Sequence, residues 1–348
     1  MIRHNLTDLS SVAAIGADTV IDVRAPSEFA QDHIEGAINL PVLSDAERAQ
    51  VGTIYTQQSA FLARKIGAAL VAANAARHLQ GPLADKQGDW QPLIYCWRGG
   101  QRSGAFATIL DQVGWRVHLI EGGYRSYRRQ ITAMLYDTDL PHRICVIDGG
   151  TGTAKTALLY HLQSAGAQVL DLEGLAAHRG SLFGGLAQQQ PSQKMFESRL
   201  AAALAQLDPA RITWVEGESS KIGARMIPPA IWAAMHAAPR IEVSAPLAAR
   251  AAFLATEYAD LTHDTETLMA LIAQLRPYHA ATVLEEWHAL AHRGAWQELA
   301  AQLMQVHYDP RYKKSQARAA PAQQHITLRS LDAQTLGRTA RDLIEGFR

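Results

Sequence analysis

The chain has 348 residues, 48% of them hydrophobic and 19% charged, and its 33 Lys and Arg balance 33 Asp and Glu. That composition is globular and the length suits two domains with real cores, so a disordered or fibrous protein is excluded. With zero net charge, a nucleic-acid partner must be held by local basic patches rather than by a global field.

Two cysteines, Cys96 and Cys145, are too few for a disulfide framework. They also make no structural zinc site unless several histidines lie nearby. The N-terminal residues Met1–Asp8 lack an apolar signal core, and the most apolar run, Ile66–Ala76, is well short of the roughly 20 residues a membrane span needs. A soluble protein of a reducing compartment is expected.

In chain order, residues 18–24 read as a strand, followed by a turn at Ala25-Pro26 and a short helix start at Ser27. Ile34–Leu40 follows, stopped by Pro41. A helix is predicted from Ser59 to about Leu79, closed by Gly81-Pro82. The apolar strand Pro92–Tyr95 runs into Cys96. A helix then spans Ser103 to Gly114, and a strand spans Arg116–Ile120. Strands alternating with helices indicate an α/β unit with a mainly parallel sheet. A second unit opens near Leu140-Pro141, with strands at Arg143–Ile147, Gln168–Leu172, Arg211–Val215 and Arg240–Val243. Residues 247–306 have a helical, Ala/Leu-rich pattern. The division expected is residues 1–135 and 136–348, with Ser315–Gln324 as a loose loop.

The first chemical site is the segment Cys96-Trp97-Arg98-Gly99-Gly100-Gln101-Arg102-Ser103. A strand delivers the thiol and a helix follows, so backbone N–H groups and the helix N-terminus converge on one point. Arg98 and Arg102 add positive charge, and the glycines let the backbone curl. These features favour a thiolate, which is the nucleophilic form. A lone buried cysteine is usually an inert core residue, and that reading suits Cys145, which sits inside an apolar strand.

The second site is Gly149-Gly150-Thr151-Gly152-Thr153-Ala154-Lys155-Thr156, which departs from G-x-x-x-x-G-K-[ST] only by Ala154. Such a loop cradles phosphates with backbone amides, Lys155 reaches them, and Thr156 offers a hydroxyl to Mg²⁺. Acids at neighbouring strand ends, Glu216, Glu218 and Asp171, are candidates to hold Mg²⁺ or orient water; solvated strand ends are the alternative. No metal ligand is certain from sequence.

Two resemblances follow from these residues. Asp22-Val23-Arg24, Glu28-Phe29, His33-Ile34 and Gly36–Pro41, with Cys96 followed by Arg102-Ser103, resemble rhodanese domains. Common sulfur-transferring members have C-x4-R, whereas this loop is C-x5-R, which resembles related phosphatases and suits a tetrahedral oxyanion. The whole set is similar to the bacterial tRNA 2-selenouridine synthases. It comprises the Cys96 loop, Glu121-Gly122-Gly123-Tyr124-Arg125, the P-loop, Asp171–Ser181, Trp214–Ser219 and Tyr308–Tyr312.

That resemblance implies an N-terminal rhodanese-like domain with a parallel sheet and a C-terminal P-loop α/β domain with a helical subdomain. It implies a cytoplasmic transferase acting on wobble 2-thiouridine at position 34 of tRNAs for Lys, Glu and Gln. The sulfur is S-geranylated from geranyl diphosphate, and selenium from selenophosphate then replaces the geranylthio group. Cys96 is expected to be the nucleophile or selenium carrier, and a selenophosphate-supplying enzyme is an expected partner. The P-loop is expected to grip the prenyl diphosphate, with a nucleotide or the tRNA backbone as alternatives. Candidate RNA contacts are Tyr124, Arg125, Arg128 and Arg129, then His178 and Arg179, with Lys313 and Lys314 beside Tyr312 similar. For Tyr124 and Tyr127, spaced i, i+3, the alternative is a packed helix face. Two other functions compete. One is a sulfurtransferase or phosphatase with a regulatory P-loop domain. The other is a P-loop switch whose rhodanese half only docks partners, against which the cationic Cys96 loop argues.

Overall fold

The computed structural model describes residues 1–317 and 321–347. The expected loop Ser315–Gln324 therefore falls partly outside the described residues. Two compact units emerge: Met1–Asp139 with Pro191–Gln206, and Leu140–Gln190 with Leu207–Arg348.

The first unit is built on a five-stranded, all-parallel sheet in the order β1-β5-β4-β2-β3. Its strands are β1 (Ile2–His4), β2 (Thr19–Asp22), β3 (Ile38–Asn39), β4 (Pro92–Tyr95) and β5 (His118–Ile120). Every residue of β4 is buried, as a strand flanked by β2 and β5 with both faces covered must be. Its Ile94 joins Phe106, Ala107 and Leu110 of the helix Gln101–Val113 in one core.

That helix starts two residues before the Ser103 read from sequence, because Gly100 already serves as its N-cap. The helix Asp45–Gln57, which the pattern did not reveal, is started by Ser44 and Glu47 in a reciprocal capping box.

The helix Gln193–Ala205 belongs to this first unit, although the chain reaches it from the second. It packs on the helix Tyr124–Thr132 and the π-helical turn Ala133–Asp137. Its Glu197, almost fully buried, is ion-paired with Arg128 and accepts a hydrogen bond from Tyr136 at 2.7 Å. A buried carboxylate without such partners would be strongly destabilising, which explains why the helix stays with this unit.

The second unit carries another five-stranded parallel sheet, ordered β12-β11-β6-β8-β7. The strands are β6 (Arg143–Asp148), β7 (Gln168–Leu170), β8 (Ile212–Glu216), β11 (Arg240–Ser244) and β12 (Gln324–Thr327), with a small hairpin of β9 (Lys221–Ile222) and β10 (Arg225–Met226). From β6 the chain moves to the edge strand β7, returns to β8 beside β6, and only later places β11 on the other side. The carboxyl end of β6 is thus a topological switch point, where open α/β sheets form their ligand crevice.

Residues 247–306 are helical as expected, in the helices Leu247–Glu257, Ala259–His263, Thr265–Ala273, Ala281–His292 and Trp296–Leu303. Their apolar faces gather around Ile272, Leu275 and Trp287 in a core of their own.

Candidate functional sites

Cys96 leaves the carboxyl end of β4 and is buried. Its Sγ accepts a hydrogen bond from Ser103 Oγ at 3.1 Å, and Ser103 is itself fully buried in the first turn of the following helix. The loop is clamped from behind by the turn Glu121–Gly123. Tyr124 N donates to Cys96 O at 2.8 Å and Arg125 N to Trp97 O at 3.1 Å. This close approach demands glycine twice. A Cβ on Gly99 would lie 2.6 Å from Ile120 O, and one on Gly123 would overlap Cys96 O and Gly99 N. Both residues have positive φ, +64° and +57°.

The loop cations differ in their surroundings. Arg98, Gly100 and Gln101 are exposed, and Arg98 makes no ion pair among the described residues. Arg102 Nη1 is held by Glu28 Oε2 at 2.9 Å, and that carboxylate also takes Arg48 and the Ala25 amide. Burial pushes Glu28 up, but the Arg102 hydrogen bond and charge outweigh it and leave the carboxyl below its ordinary range.

Below the loop lies an aromatic and ionic layer. Arg24 grips Asp22 at 2.6 and 2.9 Å, donates to Asp32 O at 2.6 Å, and stacks 4.0 Å from the Tyr124 ring. Trp97 packs on Tyr124 at 5.3 Å between ring centroids.

These contacts correct part of the expected RNA surface. Tyr124 is buried and its hydroxyl donates to Asp32 at 2.6 Å, while Tyr127 is buried beside it, so the pair is a packed helix face. Arg128 is committed to Glu197 and Lys194 O. Arg125 and Arg129 are exposed.

Cys145, in contrast, is completely buried, and burial pushes its thiol up to about 12. It is core, as its strand position implied.

In the second unit, Gly149–Thr156 wraps the carboxyl end of β6 and leads into the helix Lys155–Ser164. Gly149 cannot carry a side chain, because a Cβ would overlap Val243 O. Ala154, the departure from the motif, holds the left-handed conformation that glycine normally supplies, at φ +60° and ψ +34°. Lys155 Nζ rests on Gly149 O at 2.9 Å. Arg250, nearly buried, donates to Thr151 O at 2.7 and 2.8 Å and is held by Asp309 at 2.6 Å. Asp309 lies in the Tyr308–Tyr312 motif, so that motif braces the phosphate loop.

Thr156 Oγ1 lies 2.8 Å from Glu216 and 3.1 Å from Glu173. A hydroxyl has one proton, so it cannot satisfy two ionised carboxylates; one must carry a proton or a cation must join them. Glu218 completes the group, the three carboxylates offering oxygens within 4.8 Å of one another. Burial and like charge push Glu173 and Glu216 up to about 8, and burial pushes Glu218 to about 7 against the pull of Lys155. These are hard oxygen donors around a phosphate loop, a donor set that fits Mg²⁺.

Of the expected acids, Glu216 and Glu218 converge and Asp171 does not. Strand β7 ends at Leu170, so Asp171 caps the helix Leu172–Ala176 by accepting from Gly174 N at 2.8 Å, and accepts from Tyr160. Glu173, two residues on, takes the inner place. His178 Nδ1 accepts from Gly180 N at 3.1 Å, and burial lowers its basicity. Arg179 pairs with Asp260 at 3.1 Å and lies over the Tyr258 ring, so both residues wall the P-loop cleft.

The cleft continues into an apolar cavity lined by Phe183, Leu261, Leu268, Trp296, Leu303 and Met304; Thr151, Leu254, Tyr258 and Tyr308 line both. Sequence reasoning missed Glu173, Arg250 and this cavity. The motifs Asp171–Ser181 and Tyr308–Tyr312 contain Glu173 and Asp309, the partner of Arg250, but gave neither a role.

The fold and its two loops define a class: a rhodanese-like domain joined to a P-loop domain. A family described as rhodanese-like domain matches residues 7–130, and one described as tRNA 2-selenouridine synthase AAA domain matches residues 142–282. Several relatives carry the name tRNA 2-selenouridine synthase. That of Nitrosomonas europaea is 39% identical over 67% of this chain and 62% of its own length. Those of Nitrosomonas eutropha and Salmonella arizonae are 34% and 41% identical, over 82% and 71% of this chain and 74% and 68% of their own. The chain belongs to the tRNA 2-selenouridine synthase family. Its match spans less than two thirds of the N. europaea relative. Among the described residues no helix is long and apolar enough to cross a membrane.

Proposed function

We propose that this chain is a cytoplasmic transferase that converts wobble 2-thiouridine to 2-selenouridine in tRNAs for Lys, Glu and Gln, through an S-geranyl intermediate. The observation that carries the reading is the junction of the phosphate loop with the apolar cavity, which share Thr151, Leu254, Tyr258 and Tyr308. A diphosphate on the loop would leave its prenyl chain at the cavity mouth.

In the first step the thiouridine sulfur attacks C1 of geranyl diphosphate and diphosphate departs. Lys155 and the loop amides neutralise the leaving charge. Thr156, Glu173, Glu216 and Glu218 would hold Mg²⁺, which supplies further charge neutralisation. Arg250 keeps the Thr151 turn in place through the bonds to its carbonyl.

Alkylation turns the sulfur into a leaving group. In the second step the selenium of selenophosphate attacks C2 of the base and geranylthiol departs; a nucleophile attacks phosphorus to break the P–Se bond, and water finally releases inorganic phosphate. The C-x5-R loop, with Arg98 exposed and Arg102 oriented by Glu28, suits the tetrahedral anion, and Cys96 acts as the nucleophile at phosphorus. A selenophosphate-supplying enzyme is the expected partner for that step.

The test is mass spectrometry of wobble uridines in cells lacking the gene. Loss of both geranylthio- and selenouridine, restored by the wild-type gene, is expected. Unchanged nucleosides, or restoration by the Cys96→Ser, Lys155→Ala double variant, would end the proposal.

A further inference from the structure

The phosphate loop is bordered on two sides. One border is the cleft with the carboxylates and apolar cavity. The other is a groove formed by the carboxyl ends of β6 and β8, the helix Pro229–Ala237 and the helix Asp309–Gln316, into which Gly149, Thr151 and Lys155 also face. The linings are chemically opposite. The groove presents Trp232, half-buried, with His236 against it at 4.4 Å between ring centroids. Lys314 and Arg311 are exposed along the facing helix.

The groove's acids are already engaged. Asp148 pairs with Arg240 at 3.0 Å and accepts from Tyr312, and Glu218 is gathered with Glu173 and Glu216. Arg311 is partly engaged too, donating to His307 and lying over the Tyr278 ring at 4.6 Å. Lys314 makes no ion pair among the described residues and is the lysine of that helix that lines the groove.

An indole face next to solvent, facing cations across a groove, is the pairing that holds single-stranded nucleic acid: a base stacks and a phosphate is neutralised. Double-stranded RNA offers no unstacked base to such a surface. A donor bound on one side of the loop and an acceptor on the other would meet at the same phosphates, so the second side needs an entrance of its own.

We propose that this groove is the acceptor site. It binds an unpaired RNA loop by stacking one base on the Trp232 indole, which His236 braces edge-on, and contacting backbone phosphate with Lys314. This rests on the proposed function only in taking the acceptor to be RNA.

The experiment uses the full chain and fluorescence anisotropy with two probes, a labelled RNA stem-loop with a uridine-rich loop and the same stem as a plain duplex. Trp232→Ala should weaken stem-loop binding about ten- to hundredfold, the loss of one stacked base, while leaving duplex binding unchanged. Trp232→Tyr should retain most of the affinity, which separates stacking from damage to the fold. Lys314→Ala should lower the slope of log affinity against log salt by about 1, and it needs no change to the helix interior.

Wild-type affinity and slope in both alanine variants would overturn the groove while leaving the proposed function standing. A wild-type chain that prefers neither probe would overturn both. Competition of the stem-loop by ATP, with ATP rather than RNA lost in Trp232→Ala, would assign the groove to a mononucleotide and overturn the proposal.

Discussion

The cysteine loop and the phosphate loop are made from the same parts, a buried parallel strand, a glycine-rich turn and a helix, yet they are held in opposite ways. The cysteine loop is closed by a second turn of backbone: Gly123 lies so near Cys96 O and Gly99 N that no side chain fits. Its ionic support comes from one carboxylate, Glu28, pointing at Arg102. The phosphate loop is held by long side chains reaching its carbonyls, Arg250 on Thr151 O and Lys155 on Gly149 O, and it faces a group of carboxylates. A nucleophile needs a fixed cup around one atom, whereas a phosphate site needs amides and cations that close on a ligand. The first tolerates little motion of backbone, and the second can be retuned by side chains.

The largest effect comes from dividing the two chemistries. Cys96→Ser should reduce selenouridine formation by roughly a thousandfold or more, as loss of a nucleophile does. S-geranyl-thiouridine should still form and accumulate. Lys155→Ala should abolish both products, because the proposed reaction places the prenyl step first. Nucleoside analysis of tRNA incubated with each variant reads this out, and equal loss of both products in Cys96→Ser would merge what the comparison separates.

Next is Gly123→Ala. With φ at +57° and backbone atoms in the way, the turn must move off the cysteine loop. A cost of about 3 kcal/mol is expected, from strain and lost backbone contacts together. For a unit of this size that is roughly a 6–12 °C fall in the thermal midpoint, measurable by calorimetry. The phosphate-loop unit should unfold at its original temperature.

Glu28→Gln should cost about 1–2 kcal/mol at neutral pH, discounted because Arg102 and Arg48 are partly solvated. The pH dependence has a definite sign. The folded pKa of Glu28 is depressed below its ordinary 4.5. Its stabilisation is therefore complete above that value and is lost as pH falls through the lower folded value. Denaturation of both proteins across this window should show the difference closing on the acid side. A constant difference would mean that packing, not charge, holds Arg102.

How much of this was legible in the chain follows from the range of each interaction. Both loops are local, a strand followed by glycines and a helix within about ten residues, so their residue order reported them. The Glu28–Arg102 pair spans 74 residues, and Arg250 reaches Thr151 across 99. No periodicity records such contacts. Asp171 was named among the acids and Glu173 was not; strand β7 ends at Leu170, two residues short of the expected Leu172, which leaves Asp171 as a helix cap and turns Glu173 inward. The strands β1 and β12 escaped notice because Ile2–His4 and Gln324–Thr327 are short, largely exposed edges with little apolar alternation. The helix Gln193–Ala205 packs with the unit that chain order would deny it, since its anchor is the Glu197–Arg128 ion pair.

The smallest effect is the sharpest test of the comparison, because it makes the reverse of the Gly123 change at a left-handed position of the other loop. Ala154→Gly removes the penalty of holding an alanine at φ +60°, about 1 kcal/mol. Against this, glycine adds unfolded-state freedom worth roughly 0.4–1 kcal/mol. The lost methyl is also buried in the apolar core beside Leu158 and Leu162, a further cost of about 0.8 kcal/mol. The terms offset, so the stability should change by less than about 1 kcal/mol, and diphosphate affinity by less than about twofold. Stability should therefore respond strongly to a methyl gained at Gly123 and hardly at all to one lost at Ala154. If Ala154→Gly instead shifts diphosphate binding tenfold, the alanine shapes the ligand site itself, and backbone closure matters as much in the phosphate loop as in the cysteine loop.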